Sequence, residues 1–169
     1  MIQPMVHLAL DVGEKRIGVA VSDETETLAS PRTTIRRTST AAALEAVARL
    51  VAESGAEVVV VGLPVSFDGQ LHGQAWAIQA FAAKLRARIA QPVVFADETL
   101  SSVRAEEALR AAGMRPDRIR ERLDAAAAAV ILQDYLDARN RGEEQEITAL
   151  NAGNDGGDAA GRSGDEVEE

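Results

Sequence analysis

Apolar positions along the chain recur at intervals of two in some segments and of three to four in others. This change of period predicts alternating strands and helices. The run EVVVVG at residues 57–62 is a continuous β-branched segment, which is typical of a strand buried on both faces. In the third strand Pro31 indicates an edge strand or a strand end. The predicted strands cover residues 5–12, 16–22, 28–36, 57–62 and 92–96.

The intervening segments carry apolar stripes at helical spacing. The first helix begins at a cap formed by Ser39 or Thr40 and ends at Gly55, which are typical boundary residues. Further helices are predicted at about 74–90, 102–112 and 118–139. Hairpin-connected strands therefore precede helix-connected strands. This order predicts an α/β fold with a mixed five-stranded sheet, three antiparallel strands followed by two parallel ones, flanked by helices.

An aspartate interrupts the first strand. Alternation places Leu8 and Leu10 on one face, and Ala9 and Asp11 on the other. An ionised carboxylate that points into a sheet face is costly unless it is paired or binds a metal. We therefore expect Asp11 to have a partner or a chemical role.

Two further carboxylates occupy comparable positions. Asp97 and Glu98 end the last strand, and alternation allows only one of them to share a site with Asp11. Sites in open α/β sheets form outside the carboxyl ends of parallel strands. Asp124 lies on the apolar stripe of the last helix, so it faces the sheet, and the alanine run 125–129 allows a close approach.

Each carboxylate also has an ordinary structural explanation. Asp11 could accept hydrogen bonds from the following turn, Glu98 could be solvated, and Asp124 could pair with Arg120 or Arg122 or help to cap its helix. Together, three clustered carboxylates would repel one another and raise their pKa values. Two Mg²⁺ or Mn²⁺ ions would neutralise that charge and leave an excess for phosphate oxygens, with Asp11 bridging them.

The charge of the chain is unevenly distributed. The net charge is −9, of which the segment 141–169 carries −7, from nine acidic and two basic residues. We interpret this Gly-, Asp- and Glu-rich segment as a disordered tail, and residues 1–140 as the folded domain. The chain has no cysteine, which excludes disulfides and thiolate chemistry. It also has no signal-like or membrane-spanning apolar segment, so we expect a cytoplasmic protein without membrane contact.

Four motifs carry a resemblance to a known family. The segments LDVGEKRIGVAVSD, VVVGLPVSFDGQLHGQA, DETLSS and LDAAAAAVILQDYL occur in the order found in the YqgF/RuvX family. These RNase H-like proteins are described as Holliday junction resolvases and as nucleases that mature the 5′ end of pre-16S rRNA. The resemblance spans about residues 6–138.

The resemblance implies an RNase H-like fold, Mg²⁺ or Mn²⁺ as cofactor, and catalytic, metal-binding roles for Asp11, Glu98 and Asp124. It implies pre-rRNA or branched DNA as substrate, with ribosomal precursor particles and a second copy of the chain as candidate partners. Two positions differ from the family's pattern. Thr99 stands where an arginine is usual, and Ser66 stands where an asparagine is often found.

Two other classes of protein fit parts of the pattern. The segment DVGEKRIGVAV is similar to the first phosphate loop of actin-like ATPases, whose turn binds ATP phosphates. That loop has no Ser or Thr between Asp11 and Gly18, and about 140 residues supply one of the two domains that such ATPases need. A non-catalytic RNA-binding scaffold of the same fold is the third class.

Basic residues near the three carboxylates are candidates for phosphate contacts. Arg110 is expected instead to form surface ion pairs. We expect His7 to be structural and the loop that contains His72 to lie over the metals. Few aromatic residues are present, which argues against a base-stacking platform. The predicted nucleic-acid contacts are Lys15, Arg16, Arg36, Arg37, Arg104, Arg115, Arg118, Arg120 and Arg122.

Overall fold

Five strands form a single mixed sheet in a computed structural model that describes residues 4–65, 73–98 and 100–143. The strands are β1 (His7–Val12), β2 (Arg16–Ser22), β3 (Ala29–Arg36), β4 (Val58–Leu63) and β5 (Val93–Asp97). Their order across the sheet is β3-β2-β1-β4-β5. β1–β2 and β2–β3 pair antiparallel, whereas β1–β4 and β4–β5 pair parallel. The predicted mixed sheet is confirmed, and β3 is an edge strand, as Pro31 indicates.

Four helices flank the sheet, and α1, α2 and α4 cover its two faces. They are α1 (Thr40–Ser54), α2 (Gly73–Arg86), α3 (Ser101–Ala111) and α4 (Pro116–Asn140). Ser39 caps α1 by accepting a hydrogen bond from the Ala42 N–H at 3.1 Å. Gly55 ends this helix in the left-handed conformation, with φ of 69°. Both predicted boundaries of α1 are therefore confirmed.

The alternation of β1 separates two cores. Leu8 and Leu10 are buried with residues of α1 and α2 on one face. Ala9 is buried on the other face with residues of α4, among them Ile131 and Leu132. α3 packs against α4, outside the sheet. Asp11 belongs by alternation to the α4 face, so the candidate site is expected on that face of the sheet.

One predicted boundary differs from the structure by several residues. We expected the second helix to reach residue 90, whereas α2 ends at Arg86. Pro92 disfavours the helical conformation for the residue before it. The chain leaves the helix in a turn in which the Ile89 N–H donates to the Leu85 carbonyl at 3.2 Å. Arg86 Nη2 then donates to the Val93 carbonyl at 2.7 Å, which joins the helix end to β5.

The C-terminal helix is longer than its apolar pattern indicates. It begins with Pro116 in its first turn, a position where the missing N–H costs nothing. The described part of the chain ends just after this helix, so the segment 144–169 and its predicted disorder lie outside the described residues. Within the described ranges, no helix is long and apolar enough to cross a membrane.

Candidate active site

Asp11 and Asp124 come together because β2 carries a glycine between them. Asp11 pairs directly with Gly18 across the β1–β2 ladder. A Cβ atom on Gly18 would lie only 1.9 Å from the backbone oxygen of Asp124. Helix α4 therefore contacts the β2 backbone at this point. The predicted close approach of the alanine-rich helix is confirmed, and Asp124 begins its buried stripe.

Glu98 reaches the same place from the end of β5. Its backbone N–H donates to the Leu63 carbonyl at 3.2 Å, which fixes it beside the end of β4. Gly62 leaves room for the side chain, since a Cβ there would lie 2.8 Å from Glu98 Oε2. The side chains of Asp11 and Glu98 are close enough to share a proton. Of the two neighbouring carboxylates at the end of β5, Asp97 is exposed, whereas Glu98 is the one that interacts with Asp11.

The surroundings raise the pKa values of both carboxyl groups. Burial raises the pKa of Glu98 to about 8, and the negative charge of Asp11 adds to this effect. Burial also raises the pKa of Asp11, with a further contribution from Asp124, although the hydrogen bond with Glu98 opposes the shift. Glu98 Oε2 is buried and receives no hydrogen bond from the described residues. With its pKa at about 8, the Glu98 carboxyl group is mainly protonated at neutral pH and can donate to Asp11.

Asp124 is engaged by an arginine from the first turn. Arg16 Nε donates to Asp124 Oδ2 at 2.8 Å, and the two side chains are 53% and 26% exposed. The sequence had offered Arg120 or Arg122 as the partner, whereas the partner lies 108 residues away in the chain. Consequently Asp124 is near the Asp11–Glu98 pair but is turned toward a cation of the protein.

The arrangement fits a divalent cation in part. Among the described residues, no three acidic or histidine side chains form a ready metal-binding group. Nevertheless, Asp11 and Glu98 present carboxylate oxygens, which are the ligands that Mg²⁺ and Mn²⁺ prefer. The buried Oε2 of Glu98 lacks a donor among the described residues, and a cation would offset the burial and the carboxylate repulsion that raise the two pKa values. Asp124 would complete the set after leaving Arg16.

Several predicted phosphate contacts lie on the α4 face or next to it. Arg16 and Arg36 are direct register partners across β2 and β3. Like charges opposite each other are destabilising, so an anion bound between them would be favourable. The arginines of the α4 N-terminal region are exposed and have no ion pair within the described ranges; they are Arg115, Arg118, Arg120 and Arg122. Lys15 is also exposed.

Besides Arg16, two more of the predicted phosphate contacts bind groups of the protein itself. Arg104 forms two hydrogen bonds with the carboxylate of Asp134. Arg37 Nη1 donates to the Gly13 carbonyl at 2.8 Å, and its guanidinium lies 5.2 Å from the centre of the Phe81 ring. Arg37 is therefore held on the face opposite α4. The roles of Arg37 and Arg104 as nucleic-acid contacts stay predictions.

The remaining sequence-based expectations have mixed outcomes. Arg110 pairs with Glu106 at 2.8 Å, as expected for a surface ion pair. His7 is fully buried, and burial together with the charge of Arg139 lowers its pKa to about 4, which agrees with a structural role. Ser66, His72 and Thr99 lie outside the described residues, so the predicted loop over the metals and the effect of Thr99 stay predictions.

Sequence reasoning missed the two glycines that shape the site and the ion pair that holds Asp124. Gly18 and Gly62 each stand within a strand among apolar residues, where glycine is unfavourable unless another group approaches closely. That signal was available in the sequence. The Arg16–Asp124 pair had no local signal, because the two residues meet only when α4 packs on β2.

Solved structures with a similar fold include two resolvases. Thermus thermophilus RuvC in complex with a Holliday junction substrate matches with a TM-score of 0.57 and 15% identity, over 85% of this chain and all of that one. The fowlpox virus resolvase with junction DNA matches with a TM-score of 0.51 and 15% identity, over 80% and 99%. At such identities the likeness shows the fold, which is RNase H-like as expected.

Curated relatives are much closer in sequence. A protein of Chloroflexus aggregans with the provisional name pre-16S rRNA nuclease is 52% identical over 132 residues, 78% of this chain and 93% of that protein. A protein of Roseiflexus with the same provisional name is 44% identical, over 81% of this chain and 97% of its own length. The family model described as RuvX, Holliday junction resolvase, matches residues 5–138. The chain therefore belongs to the RuvX family of RNase H-like nucleases.

Proposed function

We propose that this protein is a metal-dependent nuclease that hydrolyses phosphodiester bonds in the 5′ region of pre-16S rRNA. The observation that carries the proposal is the half-buried Asp11–Glu98 pair, with its raised pKa values and with the buried Glu98 Oε2 that no described residue hydrogen-bonds. Family membership supports nuclease activity. The names of the curated relatives support the rRNA substrate.

In this proposal Asp11, Glu98 and Asp124 hold one or two Mg²⁺ or Mn²⁺ ions. Such ions lower the pKa of an attacking water and stabilise the leaving 3′ oxygen. Asp11 interacts with both of the other carboxylates, with Glu98 through a hydrogen bond and with Asp124 through its charge, so it would be the ligand that the whole set shares. Arg16, once separated from Asp124, is free to contact a phosphate of the substrate beside the site. Arg36, its register partner, extends that positive surface away from the carboxylates.

A Holliday junction is the second candidate substrate, because the family description and both structural neighbours name junction cleavage. The same carboxylates would serve either substrate. A junction offers two equivalent strands, so cleavage there favours a homodimer, whereas rRNA processing favours association with ribosomal precursor particles. A scaffold without catalysis would retain the fold and the basic surface but would have no need for the buried acidic pair. A cytoplasmic location also stays a prediction of the sequence.

The deciding experiment is a cleavage assay of the purified protein with Mn²⁺ or Mg²⁺, on a pre-16S 5′ leader and on a four-way junction. We expect Asp11→Asn, Glu98→Gln and Asp124→Asn each to reduce cleavage by at least about a hundredfold, because each removes a metal ligand while changing little volume. Glu107→Gln on the exposed surface of α3 is the matched control. Turnover at the wild-type level in any of the three variants would exclude that residue as a ligand.

A further inference from the structure

A groove between the edge strand and the two C-terminal helices lies beside the candidate active site. It encloses about 400 Å³ between β3 on one side and α3, α4 and their connection on the other. This volume lies within the range of pockets that hold small ligands. We call it the β3 groove. Its lining includes Arg32, Thr34, Leu109, Met114, Glu121 and Arg122.

The β3 groove is continuous with the carboxylate site. Thr34 is the register partner of Gly18, and Gly18 contacts the backbone of Asp124. A register shift between β2 and β3 leaves Arg32 as an extra residue, which is typical of a β-bulge that redirects a side chain. The β3 groove therefore begins next to Asp124, since Ala125 also lines it.

The walls of the β3 groove differ in chemistry. Leu109 and Met114 supply apolar surface, and thioether sulfurs make favourable contacts with aromatic rings. Arg32 and Arg122 are exposed and have no ion pair among the described residues. Guanidinium groups bind phosphate and stack on flat rings. Glu121 adds a carboxylate that can accept hydrogen bonds from the amino group of a base.

We propose that the β3 groove binds one unpaired nucleotide of the strand that enters the active site, with its base against Met114 and its phosphate near Arg122. This inference rests on the proposed nuclease function and adds a substrate feature to it. A base in a duplex is paired and stacked, so only a single strand or an extruded nucleotide can place its base there. The groove would select substrates with an unpaired nucleotide next to the cleaved bond.

The first test maps the contact directly. A single-stranded RNA with photoreactive 4-thiouridine is irradiated with the full-length protein in EDTA, so that no cleavage occurs, and the crosslinked peptides are identified by mass spectrometry. We expect crosslinks in residues 109–126 or 31–34. Crosslinks confined to other parts of the chain would overturn the inference.

The second test asks whether the groove recognises the base. Binding is measured by fluorescence anisotropy for an intact RNA and for one of equal length built from reduced abasic ribose units. We expect Met114→Ala to weaken the intact strand about fivefold and to leave the abasic strand unchanged. Val103→Ala on α3, half exposed and outside the groove, is the control and should change neither. Equal losses on both strands, or none, would contradict the proposal.

Arg122 is exposed, so its replacement should not disturb the fold and gives a second, independent variant. Arg122→Glu should weaken both strands about tenfold, because it acts on the phosphates. Arg49→Glu on α1, on the opposite face of the sheet, makes the same charge change and should have little effect. Equal effects of these two variants would show only a general charge effect and would contradict a phosphate contact at Arg122.

Cleavage is assayed in parallel, so that the two proposals can fail separately. Base-dependent binding without cleavage would refute only the proposed nuclease activity. Cleavage together with crosslinks elsewhere in the chain would refute only the proposed binding of a nucleotide in the β3 groove.

Discussion

At the scale of single residues, the shared proton of Asp11 and Glu98 links the stability of the fold to pH. The pKa of Glu98 is raised from 4.5 to about 8 in the folded protein. Folding therefore favours the protonated carboxyl group. Its contribution is complete below the unfolded pKa and is lost as the pH rises through the folded one. Any cation that binds the pair must displace this proton.

We expect the melting temperature of the metal-free protein to fall between about pH 5 and pH 8, because in this range the unfolded chain has already lost the Glu98 proton whereas the folded protein still holds it. Glu98→Gln, which stays neutral, should flatten this dependence and raise the melting temperature at pH 8. Thermal unfolding in EDTA across this range is the measurement. Glu107→Gln is the exposed control, and parallel curves for wild type and Glu98→Gln would show that the shift is absent.

The Arg16–Asp124 ion pair should compete with metal binding. Arg16→Gln frees Asp124, so we expect it to tighten Mn²⁺ binding up to about fivefold, the range set by partly exposed ion pairs. The same variant should weaken nucleic-acid binding, because it removes a phosphate contact. Calorimetric titration with Mn²⁺, without substrate, gives the first effect. Arg36→Gln removes an equal charge nearby but leaves Asp124 paired, so an identical gain in both variants would refute the competition.

At the scale of elements, one glycine determines how α4 sits on the sheet. A Cβ at position 18 would lie 1.9 Å from the Asp124 oxygen and 2.8 Å from the Ala125 nitrogen, both backbone atoms that cannot move alone. We expect Gly18→Ala to cost about 1–3 kcal/mol of stability or more, as overpacking does, and to impair cleavage by displacing Asp124. Chemical denaturation measures the cost.

The control for Gly18→Ala is a glycine with free space around it. A Cβ on Gly73, the first residue of α2, would meet nothing within 4 Å, so Gly73→Ala should be close to neutral. A loss for Gly73→Ala equal to that for Gly18→Ala would mean that the effect comes from glycine replacement in general. A neutral Gly18→Ala would mean that α4 can shift without consequence.

The sequence predicted those elements whose signals are local. Apolar alternation identified the strands, and Ser39 and Gly55 marked the ends of α1 because caps act within a few residues. Alternation also assigned Asp11 to the correct face, and helical spacing assigned Asp124 to the buried stripe. The end of α2 was misplaced because Ile89 continues the apolar stripe although Pro92 stops the helix.

Contacts made only through packing could not be predicted in the same way. The pairing of Arg16 with Asp124 depends on where α4 crosses β2, and no periodicity within either segment encodes that crossing. The β3 groove likewise joins an edge strand to a helix connection about 80 residues further along the chain. The sequence pattern pointed to the carboxylates as a set, and the family resemblance selected Glu98 rather than Asp97. Neither indicated that Asp124 is held by an arginine.

At the scale of the whole molecule, the two faces of the sheet have different tasks. The face covered by α1 and α2 carries the larger hydrophobic core. The α4 face has a smaller core, and polar groups gather near Asp124, where β1 and β5 end and β2 begins. Basic residues lie around this region although the chain is acidic overall. The electrostatic potential near the site therefore attracts a negatively charged substrate, although the net charge of the protein repels it.

The source of that global charge gives the last prediction. Residues 144–169 contain eight acidic residues and one basic residue, so removing them takes the net charge from −9 to −2. The end of α4 does not need them, because the Glu143 N–H already closes the helix by donating to the Ala138 carbonyl at 2.9 Å. We expect the protein truncated after Glu143 to keep its melting temperature and to bind nucleic acid more tightly at low salt.

The gain in affinity should shrink above about 0.1 M salt, where charges further apart than about 10 Å are screened. A full-length variant with these acidic residues changed to Asn and Gln separates charge from length, and should bind like the truncated protein. Equal affinities for wild type and both variants at every salt concentration would show that the acidic segment does not compete with the substrate.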